Sequence, residues 1–317
     1  MVNPKSAELD GGLYLVSVPI GTARDITLRA LDILAGVDVI AAEDTRSMRR
    51  LLDIHGVVLG DRPLIAYHDH NGPRVRPKLL QWLREGRSVA YASEAGTPMV
   101  ADPGFDLARA AREDGTPVTA APGPVAAIVA LTLSGLPTDR FLFAGFLPSN
   151  KGRRKSALQD LAMIEATLIL YESPKRCAAS LADMASVLGE DRPAALCREL
   201  TKKFEEVRRG TLAELAAEMA ERPVKGEVVL VVAGADGDSS NLSSDDVDSR
   251  LKEVIPRMSL RDSVDLVAAE SGMKRRQVYQ RALDLIGRDA QEDQGGDGDF
   301  GAVNGADAEG EKGGDAQ

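Results

Sequence analysis

Short apolar runs alternate with stretches of helical period along the first part of the chain. LYLVSVPIG (13–21) reads as a core strand, and LRALDILAG after it as a helix with Thr27 as N-cap and Gly36 as its stop. A second strand covers 37–41 and is followed by the charged cluster Glu43-Asp44-Thr45-Arg46 and a helix; LIAYHDHN (64–71) ends a third strand, and 77–86 is helical. Val89, Ala90, Tyr91 and Ala92 form a run without a polar member, the pattern of a parallel strand covered on both faces. A helix over 106–115, a strand over 117–121 and a small-residue helix over 125–133 complete a series of βα units, which predicts a mainly parallel sheet.

Ser134-Gly135-Leu136-Pro137 marks a hinge to a second unit. It holds FLFAGFLP (141–148), a basic turn at 151–155, the strand ATLILYES, a helix over 174–188, the segment 194–210, the helix TLAELAAEMA and the strand GEVVLVVAG (226–234). FEEVRRG and EVVLVVAG are expected to pair antiparallel, giving a mixed sheet. The predicted organisation is α/β: a flexible leader 1–12, an α/β domain 13–134, a second α/β domain 135–235, a linker 236–248, a helical extension 249–288 and a disordered acidic tail 289–317.

Within the extension, two helical patterns flank Ser271-Gly272-Met273. Ala268 four positions before the glycine and Val278 six after it give the spacing of a helix-turn-helix, with Lys274, Arg275, Arg276 and Arg281 on or just before the second helix. A plain helical hairpin packed on the body is the other reading.

Composition sharpens this picture in three ways. A chain of 317 residues suits two domains, no apolar run approaches the ~20 residues of a membrane span, and MVNPKSAELDGG is not a secretory signal, so a soluble cytoplasmic protein is expected. Cys177 and Cys197, the only cysteines, both have apolar neighbours and are expected as buried free thiols. The net charge of -10 is uneven: 289–317 hold nine acidic residues against Lys312, whereas 250–288 hold nine basic and five acidic ones. A basic module on a near-neutral body can meet a polyanion.

The candidate chemistry lies where strands end. VAYASEAGTPMVADPG (89–104) breaks from strand into a loop with Ser93, Glu94, Gly96, Thr97 and Pro98, the place where open α/β sheets bind ligands; an ordinary βα turn is the alternative. Pro122-Gly123-Pro124 fixes a rigid turn before a helix start with free N–H groups. His68 and His70 alternate on a strand and share a face, which is too few ligands for a metal site, so none is expected. Arg153, Arg154, Lys175 and Arg176 form either a phosphate-contacting rim or scattered solvated charge.

Taken together, LYLVSVPIGTARDIT, VIAAEDTR, HDHN, SEAGTPMVADPG, APGP, SGLPTDRFLFAGFLP, LYESPKR, CRELTKKFEE and GEVVLVVAG resemble the ribosomal small-subunit RNA methyltransferases of the tetrapyrrole methylase fold. The resemblance covers about 13–287. It implies two α/β domains with S-adenosylmethionine between them, a homodimer, and 2′-O-methylation of a cytidine (cytidine 1402) in the decoding centre of 16S rRNA within the small ribosomal subunit.

Carried over by position, the cofactor is expected to meet Ile20, Gly96, Thr97, Pro98, Val100, Val125 and Ala126, with Tyr171 and Ala233 closing the cleft. Lys203 joins the expected RNA contacts. Wider members of the fold carry GxGPG at the first strand, whereas this chain has Pro19-Ile20-Gly21-Thr22, which disfavours porphyrin substrates. The loop usually reads SDAGTP, and Glu94 here replaces the aspartate.

Methyl transfer needs alignment with the acceptor oxygen and help with its proton or its developing charge. Lys202, with Glu43 or Asp44, is the candidate; a phosphate contact for the lysine and a structural ion-pair network for the acidic pair are the alternatives. Two other functions fit less of the chain: a tetrapyrrole C-methyltransferase, and a nucleic-acid-binding regulator with a vestigial cofactor cleft.

Overall fold

The computed structural model describes residues 8–100, 104–235, 244–271, 273 and 275–292. The chain divides into two compact units, one ending at Ala235 and one from Asp236 onward.

The first unit opens with β1 (Gly12–Val16), α1 (Leu28–Gly36), β2 (Val39–Ala42), α2 (Thr45–His55), β3 (Leu64–Ala66), α3 (Gly72–Arg84), β4 (Ser88–Ala92), α4 (Phe105–Glu113), β5 (Val118–Ala121) and α5 (Ala126–Ser134). Its strands form an all-parallel sheet in the order β3-β2-β4-β1-β5. Ser88 to Ala92 are buried throughout, as a central strand covered on both faces requires. Thr27 caps α1 by accepting the Ala30 N–H, and Asp44 caps α2 by accepting those of Arg46 and Ser47.

The second half carries β6 (Phe141–Phe146), α6 (Lys151–Leu161), β7 (Thr167–Glu172), α7 (Cys177–Leu188), β8 (Pro193–Arg198), β9 (Glu206–Thr211), α8 (Leu212–Glu221) and β10 (Val228–Val232). Its sheet, ordered β6-β7-β10-β8-β9, is mixed: β6 and β7 run parallel and the other pairs antiparallel. The expected pairing of FEEVRRG with EVVLVVAG does not occur, because β8 lies between β9 and β10 and bonds to both. One buried cluster joins Ala127, Ala130 and Leu131 of α5 to Ile169, Ala195, Cys197, Val229 and Val231. Thus α5 precedes the hinge in sequence yet packs on the second sheet, since a helix whose first six residues are all apolar needs cover on more than one face.

Three local expectations are corrected. His68 and His70 lie beyond the end of β3 in a turn, with rings 6.0 Å apart, so strand alternation does not set their directions. Helix α3 starts five residues before Pro77, because Pro73 occupies the first turn, where no N–H is needed. The second unit contains α9 (Ser244–Val254), α10 (Leu260–Ser271) and α11 (Arg275–Glu292), so helix begins inside the expected linker and runs past the expected start of the tail.

That unit has its own core, in which Val247, Leu251 and Val254 of α9 meet Val264, Val267, Val278, Ala282 and Leu285. Val278 is buried, as the helix-turn-helix spacing asks, and Arg281 pairs with Asp248 at 2.8 Å. Gly272, Lys274, the leader through Ala7, the linker over 236–243 and the tail from 293 lie outside the described residues. Among the described residues, no helix is long and apolar enough to cross a membrane.

Candidate active site

The carboxyl ends of β1, β2, β4 and β5 are bound to one another by their own loops. Val18 donates to the Gly96 carbonyl at 2.9 Å, and Gly96 returns its N–H to Val18 at 3.1 Å. Gly96 has φ +75°, and a Cβ there would stand 3.3 Å from the Ile20 side chain, so glycine is required by conformation and is close to required by space. Thr97 Oγ1 donates to the Pro124 carbonyl at 3.1 Å and lies 3.0 Å from Ser17 Oγ. Gly123 lets the Pro-Gly-Pro turn approach, since a Cβ would fall 2.6 Å from that of Ser17. Glu43, at the end of β2, accepts the Glu94 N–H at 3.0 Å and fixes the outer part of the loop.

Two contacts bring in the second sheet. Tyr171, next to the end of β7, accepts the N–H of Ala127 in the first turn of α5 at 3.2 Å. Thr201 Oγ1 accepts the Thr22 N–H at 3.1 Å, beside Gly21, where a Cβ would lie 2.5 Å from that oxygen and 2.9 Å from the Leu200 carbonyl. Glu199 and Thr201 both have positive φ, +50° and +62°, which local strain permits only where the surroundings over-determine the turn. The bonds from Lys202 N–H to the Glu199 carbonyl (2.9 Å) and from Thr201 N–H to Glu205 (2.6 Å) do so.

Between these walls lies a cleft of about 890 Å³. Ile20, Gly96, Thr97, Val100, Val125, Ala126 and Tyr171 line it, together with Glu43 and Lys202. Pro98 is buried and is not among the residues that line the cleft. Ala233 lies at the other end of its strand and donates to Pro193: β10 runs antiparallel to β7, so its first residues, Val228 and Val229, stand beside Tyr171 and Glu172 in the wall.

Sequence reading missed several wall residues. Ser47 and Arg50 follow Asp44 at i+3 and i+6 on α2, a spacing that was available as a signal; Phe146, Ser173 and Gly226 lie within the resembling motifs, where nothing local marks them as wall residues.

The charged candidates separate. Lys202 Nζ lies 3.1 Å from Glu199 and 3.2 Å from Glu227. Burial pulls this ammonium's pKa down, and hydrogen bonds to the two carboxylates outweigh it, leaving it above the ordinary lysine value. Lys202 is therefore a cation here and not a base. The Glu199 carboxyl is held below its ordinary value, first by the Glu227 N–H and then by Lys202. Asp44 is likewise depressed by the two N–H bonds of its cap, which occupies it structurally.

Arg154 leaves the expected rim altogether. It is 5% exposed and pairs with Asp183 at 2.6 Å, inward from α6. Arg176 is clamped by the buried Glu172 at 2.7 Å. Arg153, Lys175 and Lys203 are exposed, as are Arg275, paired with Asp265, and Arg276.

The profile of a family described as Tetrapyrrole (Corrin/Porphyrin) Methylases matches residues 12–216, and that of the RsmI C-terminal HTH domain matches 241–286. The chain is 45% identical over 294 residues to Ribosomal RNA small subunit methyltransferase I of Mesorhizobium japonicum, covering 92% of this chain and 96% of that one. It is 42% identical to the protein of that name from Haemophilus influenzae, over 87% of this chain and 98% of that one. A cobalt precorrin-4 methyltransferase structure shares the fold with a TM-score of 0.54 at 17% identity, over 70% of this chain and 94% of that one.

Proposed function

The chain belongs to the ribosomal RNA small subunit methyltransferase I family of the tetrapyrrole methylases, and we propose that it 2′-O-methylates cytidine 1402 in the decoding centre of 16S rRNA with S-adenosylmethionine. The observation that carries this reading is a cation held at a fixed place in the wall of the cleft by two carboxylates: Lys202, between Glu199 and Glu227.

The cleft fits that cofactor. Its volume lies within the range of about 300–1,000 Å³ usual for small-molecule sites, and its wall is closely fitted, since a Cβ at Gly21 or Gly96 would press on Thr201 or Ile20. Ile20, Gly96, Thr97, Val100, Val125 and Ala126 would hold the cofactor from one side and Tyr171, Val228 and Val229 from the other. Bound there, it supplies a methyl group on a positively charged sulfur.

This chain's residues then align and stabilise. The joined loops fix the cleft wall before substrate arrives, so reactants meet in a prepared geometry. Lys202 faces the ribose oxygen and offsets the charge that grows on it as the oxygen–methyl bond forms, the sulfur–methyl bond breaks and the hydroxyl proton passes to solvent. Arg153, Lys175, Lys203, Arg275 and Arg276 meet phosphates. The reading places the enzyme in the cytoplasm as a homodimer acting on the small ribosomal subunit.

The test is methyl transfer from labelled S-adenosylmethionine to small subunits from cells lacking the endogenous enzyme, mapped by nuclease digestion and mass spectrometry. Label on the ribose of cytidine 1402 is expected. No label, with cofactor binding intact, would transfer the proposal to a small-molecule substrate; no cofactor binding would favour a regulator.

A further inference from the structure

Strand β6 changes phase just before it reaches the cleft. Its register against β7 pairs Phe143 with Ile169 and then Gly145 with Leu170 and Phe146 with Tyr171, so one extra residue is accommodated between Phe143 and Gly145. Residues three apart on a regular strand point to opposite faces. With the bulge, Phe143 and Phe146 both meet the Tyr171 ring edge-on, with centroids 4.9 and 5.6 Å away. Gly145 takes φ +64° with open space where a Cβ would stand, so glycine serves the bulge's conformation there and no tight contact.

The consequence is an aromatic ring set against Tyr171 and more than half exposed. Phe146 lines the cleft, is 57% exposed, and stands on the edge strand of its sheet. Phe105, Phe141 and Phe204 are also exposed, but they do not line the cleft. Single-stranded RNA is recognised by splaying out unpaired bases and stacking them on such rings, and base–aromatic stacking contributes to affinity base by base.

Resting on the RNA-methylating reading above, we propose that Phe146, braced by Tyr171, is the platform on which the base of the target nucleotide stacks while its ribose enters the cleft. The bulge at Gly145 is the device that aims this ring. Lys202 and Phe146 then hold two parts of one nucleotide, the ribose oxygen and the base.

Phe146→Ala, Phe146→Leu and Phe146→Tyr are compared with wild type for methylation of small subunits from cells lacking the endogenous enzyme. S-adenosylhomocysteine affinity and solution mass are measured on the same samples. Wild-type labelling is the control for the reading itself; its absence takes both claims down.

Given that labelling, Phe146→Ala is expected to lower kcat/KM for subunits about 10- to 100-fold, as alanine does at base-stacking aromatics. Phe146→Leu should not restore the loss and Phe146→Tyr should. Cofactor affinity and mass should stay as in wild type. Unchanged kcat/KM in Phe146→Ala, full activity in Phe146→Leu, an equal loss of cofactor affinity, or a change of oligomeric mass would each overturn the platform.

Discussion

Lys202 Nζ lies 3.1 Å from Oε1 of Glu199, and that same oxygen accepts the Glu227 N–H at 3.0 Å. The ammonium is thus tied to the backbone that leads into β10, and its position is not left to a free side chain. Replacing it with methionine keeps the stem and removes the charge, so kcat should fall about 10²- to 10³-fold, the loss seen on removing one stabilising donor from a developing oxyanion. Cofactor affinity should hold.

The pair's pH dependence has a definite sign. Lys202 is raised, so its contribution to stability is complete below 10.5 and is lost as pH rises through its higher folded value. Glu199 is depressed, so its contribution is complete above 4.5 and is lost as pH falls through its lower folded value. Denaturant midpoints of wild type and Lys202→Met should therefore differ by a constant amount across the neutral range. A difference that shrank between pH 6 and about 9 would mean a neutral lysine.

Gly21→Ala tests the contact between the first turn and the 199–202 turn. A Cβ there would stand 2.6 Å from Lys202 Cγ and 2.9 Å from the Leu200 carbonyl, and backbone cannot swing aside as a side-chain end can. The substitution should cost about 1–3 kcal/mol in urea denaturation, as overpacking does, and should lower turnover at least tenfold by displacing Lys202. Loss of stability without loss of turnover would separate the two turns functionally.

These contacts show where sequence reading succeeds and where it stops. Thr27 and Gly36 bound a helix through local chemistry, and Val89 to Ala92 announce a central strand by having no polar member. The loop ends that form the cleft were legible because a parallel sheet puts its ligand side at the strands' carboxyl ends. Ala233 was misplaced because that rule reverses for an antiparallel strand, and strand direction depends on long-range pairing. Arg154 and Arg153 are adjacent and identical in type, yet one is buried and one exposed; helix phase against α7 decides it. The phase of Phe146 hung on a bulge that LFAGF does not announce.

Arg154 predicts a structural cost and not a loss of RNA contact. Its side chain and that of Asp183 are 6% and 7% exposed, so Arg154→Met leaves a buried carboxylate whose remaining ion pair among the described residues is with Lys155, at 3.8 Å. Breaking a buried pair from one side costs about 3–5 kcal/mol, measurable by urea denaturation. Replacing both members by apolar residues of similar volume should recover most of it. Methylation per folded molecule should match wild type in either case, whereas Lys175→Ala should weaken subunit binding and reduce its salt dependence.

Cys177 and Cys197 should be inert in the folded protein. Burial pushes the Cys177 thiol up to about 12 and Cys197 up to about 11, so almost no thiolate exists at neutral pH. An aromatic disulfide reagent at pH 8 should find no reactive thiol until denaturant is added and then two. Rapid modification of the native protein would mean that the second sheet opens locally.

Glu43 is where two roles can be told apart by one atom. Its Oε2 accepts the Glu94 N–H at 3.0 Å, and Glu94 begins the loop that carries Gly96 and Thr97 into the cleft. If that bond is what Glu43 contributes, Glu43→Gln keeps an acceptor oxygen and should retain activity within about fivefold, because a hydrogen bond to a neutral acceptor is weaker by about 1 kcal/mol. Glu43→Ala would leave the loop unheld and should raise the cofactor dissociation constant along with lowering kcat. If Glu43 takes the ribose proton, the amide cannot, and Glu43→Gln should lose about 10²- to 10⁴-fold in kcat with cofactor affinity intact. Single-turnover rates and cofactor affinities of the two variants therefore assign the residue. The cleft geometry favours the loop-holding outcome, since the carboxylate oxygen is already engaged by backbone at 3.0 Å.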